Sequence, residues 1–88
     1  MQYNVTQSEI ILFLMKTDGY ISCPSNAGKE SKVYGGTSNI ETPAYSIPEM
    51  MLKTMVDEQL VALASTRIDS RRYRLTVKGL RLAARSLR

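Results

Sequence analysis

The residues Asp69-Ser70-Arg71-Arg72-Tyr73-Arg74-Leu75-Thr76-Val77-Lys78-Gly79 decide the fold class of this chain. From Arg72 to Thr76 the side chains alternate. Tyr73 and Leu75 fall on one face and Arg72 and Arg74 on the other, which is the period of a half-exposed strand. Thr76 then offers a hydroxyl as a helix cap, and the pattern changes. Val77, Leu80, Ala84 and Leu87 recur at helical spacing and form the expected apolar face of a helix over 77–87. Lys78, Arg81, Arg85 and Arg88 repeat at the same spacing, so that helix also carries a basic stripe. The helix dipole accommodates Arg85 and Arg88 at its C-terminal end, but not Lys78 at its start. Upstream, Leu60-Val61-Ala62-Leu63 begins a strand and Ile68-Asp69-Ser70-Arg71 suits a tight turn. A β-hairpin with a basic tip, leading directly into a helix, is the expectation for 60–87.

Working outward, Ser46-Ile47-Pro48-Glu49 has the form of a capping box with Pro48 in the first turn. Met50, Met51, Leu52, Met55 and Val56, interleaved with Lys53, Asp57 and Glu58, predict an amphipathic helix over 47–59. Its methionines read as core filling, with a Met-rich partner groove as the alternative. Near the start, Thr6-Gln7-Ser8-Glu9 is another capping box. Ile10 with Leu14, and Ile11 with Met15, share one side of a helix over 7–18. Gly19 is expected to end it in the left-handed conformation. Between these helices Tyr20-Ile21-Ser22-Cys23 reads as a short strand, Pro24 to Gly28 as a turn, and Lys32-Val33-Tyr34 as a returning strand. Gly35-Gly36 and Thr37-Ser38-Asn39 end that strand, and residues 24–44 show no helical period. The expected order is helix, hairpin, helix, hairpin, helix: one small α+β domain.

Composition narrows the chemistry. A chain of 88 residues buries only about 60–65% of the surface its unfolded form exposes, which leaves one modest core. The sequence has no His and one Cys, so His-ligand metal sites, Ser-His or Cys-His nucleophile pairs, an internal disulfide and a Cys-rich zinc site are excluded. Cys23 has no His to activate it. Asn26-Ala27-Gly28-Lys29 superficially resembles a phosphate loop, but lacks the first Gly and a following helix. No metal, cofactor or catalytic residue is expected, and a binding module is favoured over an enzyme. The longest apolar run, Ile10 to Met15, is far below the roughly 20 residues needed to span a bilayer. With no basic start to suggest a secretory leader and a single Cys, the expectation is a cytoplasmic protein.

The net charge of +4 is divided unevenly. Residues 1–60 hold four basic and seven acidic groups, a balance of −3. Residues 61–88 hold eight basic groups against Asp69 alone, a balance of +7. Such a split marks a surface for a polyanion or an acidic partner, unless the acidic half neutralises it within the fold.

The span Ser46 to Leu87 resembles the second half of a winged-helix domain. The helix from Pro48 to Val56, then Asp57-Glu58-Gln59-Leu60-Val61, then "RRYRLTVKG" from Arg71 to Gly79 is similar to the wing and closing helix of PadR- and MarR-like regulators. The layout also resembles the small YjhX family of toxin-like bacterial proteins, through Gly19-Tyr20-Ile21 and Tyr73-Arg74-Leu75-Thr76. The winged-helix resemblance implies a basic wing that touches DNA and a last helix that dimerises. It implies phosphate contacts at Arg67, Arg71, Arg72 and Arg74, where the guanidinium fork bonds two oxygens at once. The stripe Lys78, Arg81 and Arg85 extends that set.

Residues 24–44, where a helix-turn-helix would place its first helix, depart from the pattern, and the 47–59 helix carries only Lys53 as a basic group. Two functions follow. One is a transcription-regulator-like protein that binds double-stranded DNA through its phosphates, with a homodimer through the last helix. The other is a phage or mobile-element protein that inhibits a host complex by docking on an acidic host protein surface, with Tyr20, Tyr34 and Tyr45 as anchors.

Overall fold

A computed structural model describes residues 6–24, 30–36 and 43–85. The turn expected at Pro24 to Gly28 and the ends of two expected elements (Thr37 to Asn39, and Leu87 with Arg88) lie mostly or wholly outside those residues. The described elements are α1 (Gln7–Thr17), β1 (Tyr20–Pro24), β2 (Ser31–Tyr34), β3 (Tyr45–Ile47), α2 (Glu49–Asp57), β4 (Val61–Thr66), β5 (Ser70–Leu75) and α3 (Val77–Arg85). The class is α+β. The strands form one antiparallel sheet in the order β3-β2-β1-β5-β4.

Local chemistry accounts for α1. Thr6 Oγ1 accepts from the Glu9 amide, and the Glu9 carboxylate accepts from the Thr6 amide, so the first turn is capped reciprocally. The C-terminal end corrects the expectation at Gly19. The left-handed residue is Asp18, with φ 52°. Gly19 is needed for space instead, because a Cβ there would strike the Tyr34 carbonyl oxygen.

Two further expectations change at α2. Ser46 does not cap it. The cap position is Pro48, which makes no side-chain bond, while Ser46 lies in β3 and its hydroxyl accepts from Lys32 Nζ at 2.9 Å. The helix is therefore shorter than 47–59, since Tyr45–Ile47 pairs with β2 as an edge strand. Met55 fills the core, but Met50 is 73% exposed and does not.

The core lies on one face of the sheet. Ile21, Val33, Ile47 and Val61 from the strands meet Ile10, Ile11 and Leu14 of α1, Leu52 and Met55 of α2, and Ala83 of α3. Phe13 and Tyr45 join it edge to face, with ring centres 5.2 Å apart.

The third helix is turned differently from its sequence pattern. Thr76 does cap it, its hydroxyl accepting from the Gly79 amide at 3.0 Å. The same hydroxyl donates toward the carbonyls of Gln59 and Leu60, which ties the helix to the connection between α2 and β4. The buried residues, however, are Gly79 and Ala83. Val77 (65% exposed), Leu80 (46%) and Ala84 face outward. The cause is proximity: a Cβ at Gly79 would collide with the Leu60 carbonyl and come within 2.9 Å of Leu75 Cδ2. The helix approaches along its smallest residues, so its large ones are left outside.

Candidate nucleic-acid interface

Pairing assigns each β5 arginine to a face. Arg71 lies opposite Cys23 and Thr66, Arg72 opposite Ser22 and Ser65, and Arg74 opposite Ala62. Because side chains alternate, Arg72 and Arg74 share the face away from the core, and Arg71 turns to the other. A shift in register between Leu63 and Ser65 adjusts β4 to this arrangement. Arg67 stands at the hairpin tip, where its amide donates to the Ser70 carbonyl at 2.7 Å. Beside it Ile68 is fully exposed.

The face without helices carries more than arginines. By register it bears Ser46 on β3, Lys32 and Tyr34 on β2, Tyr20 and Ser22 on β1, Arg72 and Arg74 on β5, and Ala62 on β4. Tyr20 and Tyr34 are directly paired, and their rings stack with centres 5.3 Å apart and planes 18° from parallel. Arg72 covers the other side of Tyr20, its guanidinium carbon 4.5 Å from the ring centre. Of the three tyrosines expected as anchors, Tyr20 and Tyr34 thus meet on this open face. Tyr45 lies on the core side against Phe13.

The stripe on α3 forms a second basic surface. Lys78, Arg81 and Arg85 are exposed and, with Leu60, Val77 and Leu82, line a groove of about 410 Å³. The seven cations expected to contact phosphate therefore separate. Arg72 and Arg74 lie on the open sheet face, Arg67 and Arg71 at the hairpin end, and Lys78, Arg81 and Arg85 on α3.

Internal neutralisation is slight. Among the described residues the one ion pair joins Arg74 to Asp18, at 3.4 Å and largely in solvent, where such a pair contributes little. The Arg72 side chain makes no hydrogen bond or ion pair with another described residue. The hydroxyl of Ser46, whose sequence context imitates a helix cap, is the partner of Lys32. The described residues contain no group of three His, Cys, Asp or Glu side chains placed to hold a metal. None of their helices is long and apolar enough to cross a membrane. Compared with protein-family models, curated proteins and solved structures, the chain gives no match.

Proposed function

We propose that the chain is a small nucleic-acid-binding protein of transcription-regulator type. It holds the phosphate backbone of double-stranded DNA through the β4–β5 hairpin and α3, on a winged-helix-like scaffold in which β2 and β3 replace the first helix of a helix-turn-helix. The observation that carries this reading is the unneutralised charge. The basic hairpin and helix meet a carboxylate among the described residues only at Arg74–Asp18, so their field remains available to a polyanion. The setting is the cytoplasm, in keeping with the single free Cys23. Because α2 and its C-cap expose Glu49, Asp57 and Glu58 around Lys53, binding rests on phosphates and reads little sequence.

The test is duplex binding in rising salt. If about five phosphates are neutralised, log K falls against log salt with a slope of roughly −4 to −5. Arg81→Ala combined with Arg85→Ala lowers that slope by about 2 and weakens all sequences alike. No detectable binding at low salt defeats the proposal.

The exposed apolar row of α3 supports a second reading, a protein-docking scaffold. Val77 and Leu80 lie outside the core beside the basic groove, where a second copy or an acidic protein partner would cover them. Stoichiometric capture of a host protein that survives nuclease treatment favours that reading. Loss of every partner with nuclease favours the first.

A further inference from the structure

We infer that the open face of the sheet is a binding site for single-stranded RNA, separate from the basic groove of α3. The register builds two rows across three strands. Lys32, Ser22 and Arg72 form one, because Ser22 pairs with Lys32 on β2 and with Arg72 on β5. Tyr34 and Tyr20 form the other, two residues along. The first row presents a cation on each side of a hydroxyl, with backbones about 10 Å apart at two strand spacings. That row suits a phosphate. The second presents stacked rings, and rings hold unpaired bases without regard to their identity.

Arg72 joins the rows. Its guanidinium carbon lies over the Tyr20 ring, and its neighbours on β4 are the small exposed residues Ala62 and Ser65. Toward β4 the guanidinium is thus bordered by no large side chain, and a guanidinium is a stacking surface for a base. A cation half-buried on an aromatic ring and lacking a carboxylate is an arrangement that folding alone leaves incomplete. Among the described residues neither Lys32 nor Arg72 is ion-paired, so charge complementarity selects an anion.

A duplex does not fit the arrangement, because its bases are already stacked and its sugar edges shield them. A single strand can lay phosphates along one row and bases along the other. The hydroxyls of Tyr20, Ser22 and Tyr34 both donate and accept, which matches the 2′-hydroxyl and favours RNA over DNA.

The experiment measures fluorescence anisotropy of the full chain with a labelled U15, a dT15 and a duplex of the same length. Tyr20→Leu and Tyr34→Leu each weaken U15 binding ten-fold or more and leave duplex binding within three-fold. Arg81→Ala with Arg85→Ala does the reverse. Equal losses on both probes, or U15 binding unmoved by the sheet variants, overturn the inference. Binding of dT15 as tight as U15 overturns the assignment to RNA. A readout needing no variant is photo-crosslinking of 4-thiouridine RNA to the unaltered protein. Adducts at Tyr20 or Tyr34 support the site, and adducts confined to 77–85 overturn it. Absence of duplex binding alongside these adducts would remove the duplex proposal and leave this one standing.

Discussion

The guanidinium of Arg72 lies 4.5 Å from the centre of the Tyr20 ring, and Tyr20 in turn stacks on Tyr34. Strand register creates this row. Tyr20 and Tyr34 are cross-strand partners, and Arg72, partner of Ser22, is the diagonal neighbour of Tyr20. Planarity is what makes it work, since a guanidinium lies flat on a ring and an ammonium meets it as a point.

Arg72→Lys therefore keeps the charge and loses the flat contact. A partly exposed cation–π contact contributes about 0.5–1 kcal/mol. Urea unfolding is expected to show a loss of that size for Arg72→Ala and somewhat less for Arg72→Lys. Equal stability of all three proteins would mean that the stacking contributes nothing to the fold. A loss above about 2 kcal/mol would mean that Arg72 is an integral part of the packing.

Gly79 sits inside a helix, where alanine is ordinarily better by about 1 kcal/mol. Here the added Cβ meets the Leu60 carbonyl, a backbone atom held by Thr76, and Leu75 Cδ2. Overpacking of this kind costs about 1–3 kcal/mol, so Gly79→Ala is expected to lower stability despite its helix propensity. A chemical denaturation curve checks the sign. Increased stability would show that α3 moves off Leu60 at no cost.

The turned helix also separates two leucines that look alike in sequence. Leu14 is 2% exposed and Leu80 is 46% exposed. Leu14→Ala should cost about 2–5 kcal/mol, and Leu80→Ala less than about 1 kcal/mol in a monomer. If copies pair through α3, the Leu80→Ala loss grows with protein concentration, because association stabilises only the folded chain. Thermal melts of both variants over a hundred-fold concentration range distinguish these outcomes.

The orientation of α3 shows where sequence reading stops. Thr76 as cap, the helix itself and the period-two faces of Arg72 to Leu75 were legible because each depends on neighbours within a few residues. The buried side of α3 was not. Val77, Leu80 and Ala84 make the more apolar row, but Gly79 and Ala83 allow the closer approach to Leu60. A glycine four residues before an alanine, in a helix with no local need for either, was the available signal. β3 escaped for another reason. Three residues are too few to establish a period, and Ser46 next to Pro48 imitates a cap. The Tyr20–Tyr34 stack depends on register across a hairpin, which the spacing of two tyrosines does not specify. The hairpin that carries them was legible nonetheless, from turn residues and the missing helical period.

Ser31 offers a test of how that hairpin is packed. It is fully buried, and its hydroxyl finds no partner among the described residues. Its strand partner is Ile47, itself in the core. A buried hydroxyl without a hydrogen bond carries a desolvation penalty of about 1–3 kcal/mol. Removing it leaves a gap of one atom, which returns part of that gain. Ser31→Ala is therefore expected to be neutral or to stabilise by up to about 1 kcal/mol. In a domain of this size that is a rise in Tm of roughly 4–8 °C at most. Scanning calorimetry reads the shift directly. A fall of several degrees would show that the hydroxyl is hydrogen-bonded in solution, and would make Ser31 a polar anchor of the β2–β3 pair instead of a filler of its core.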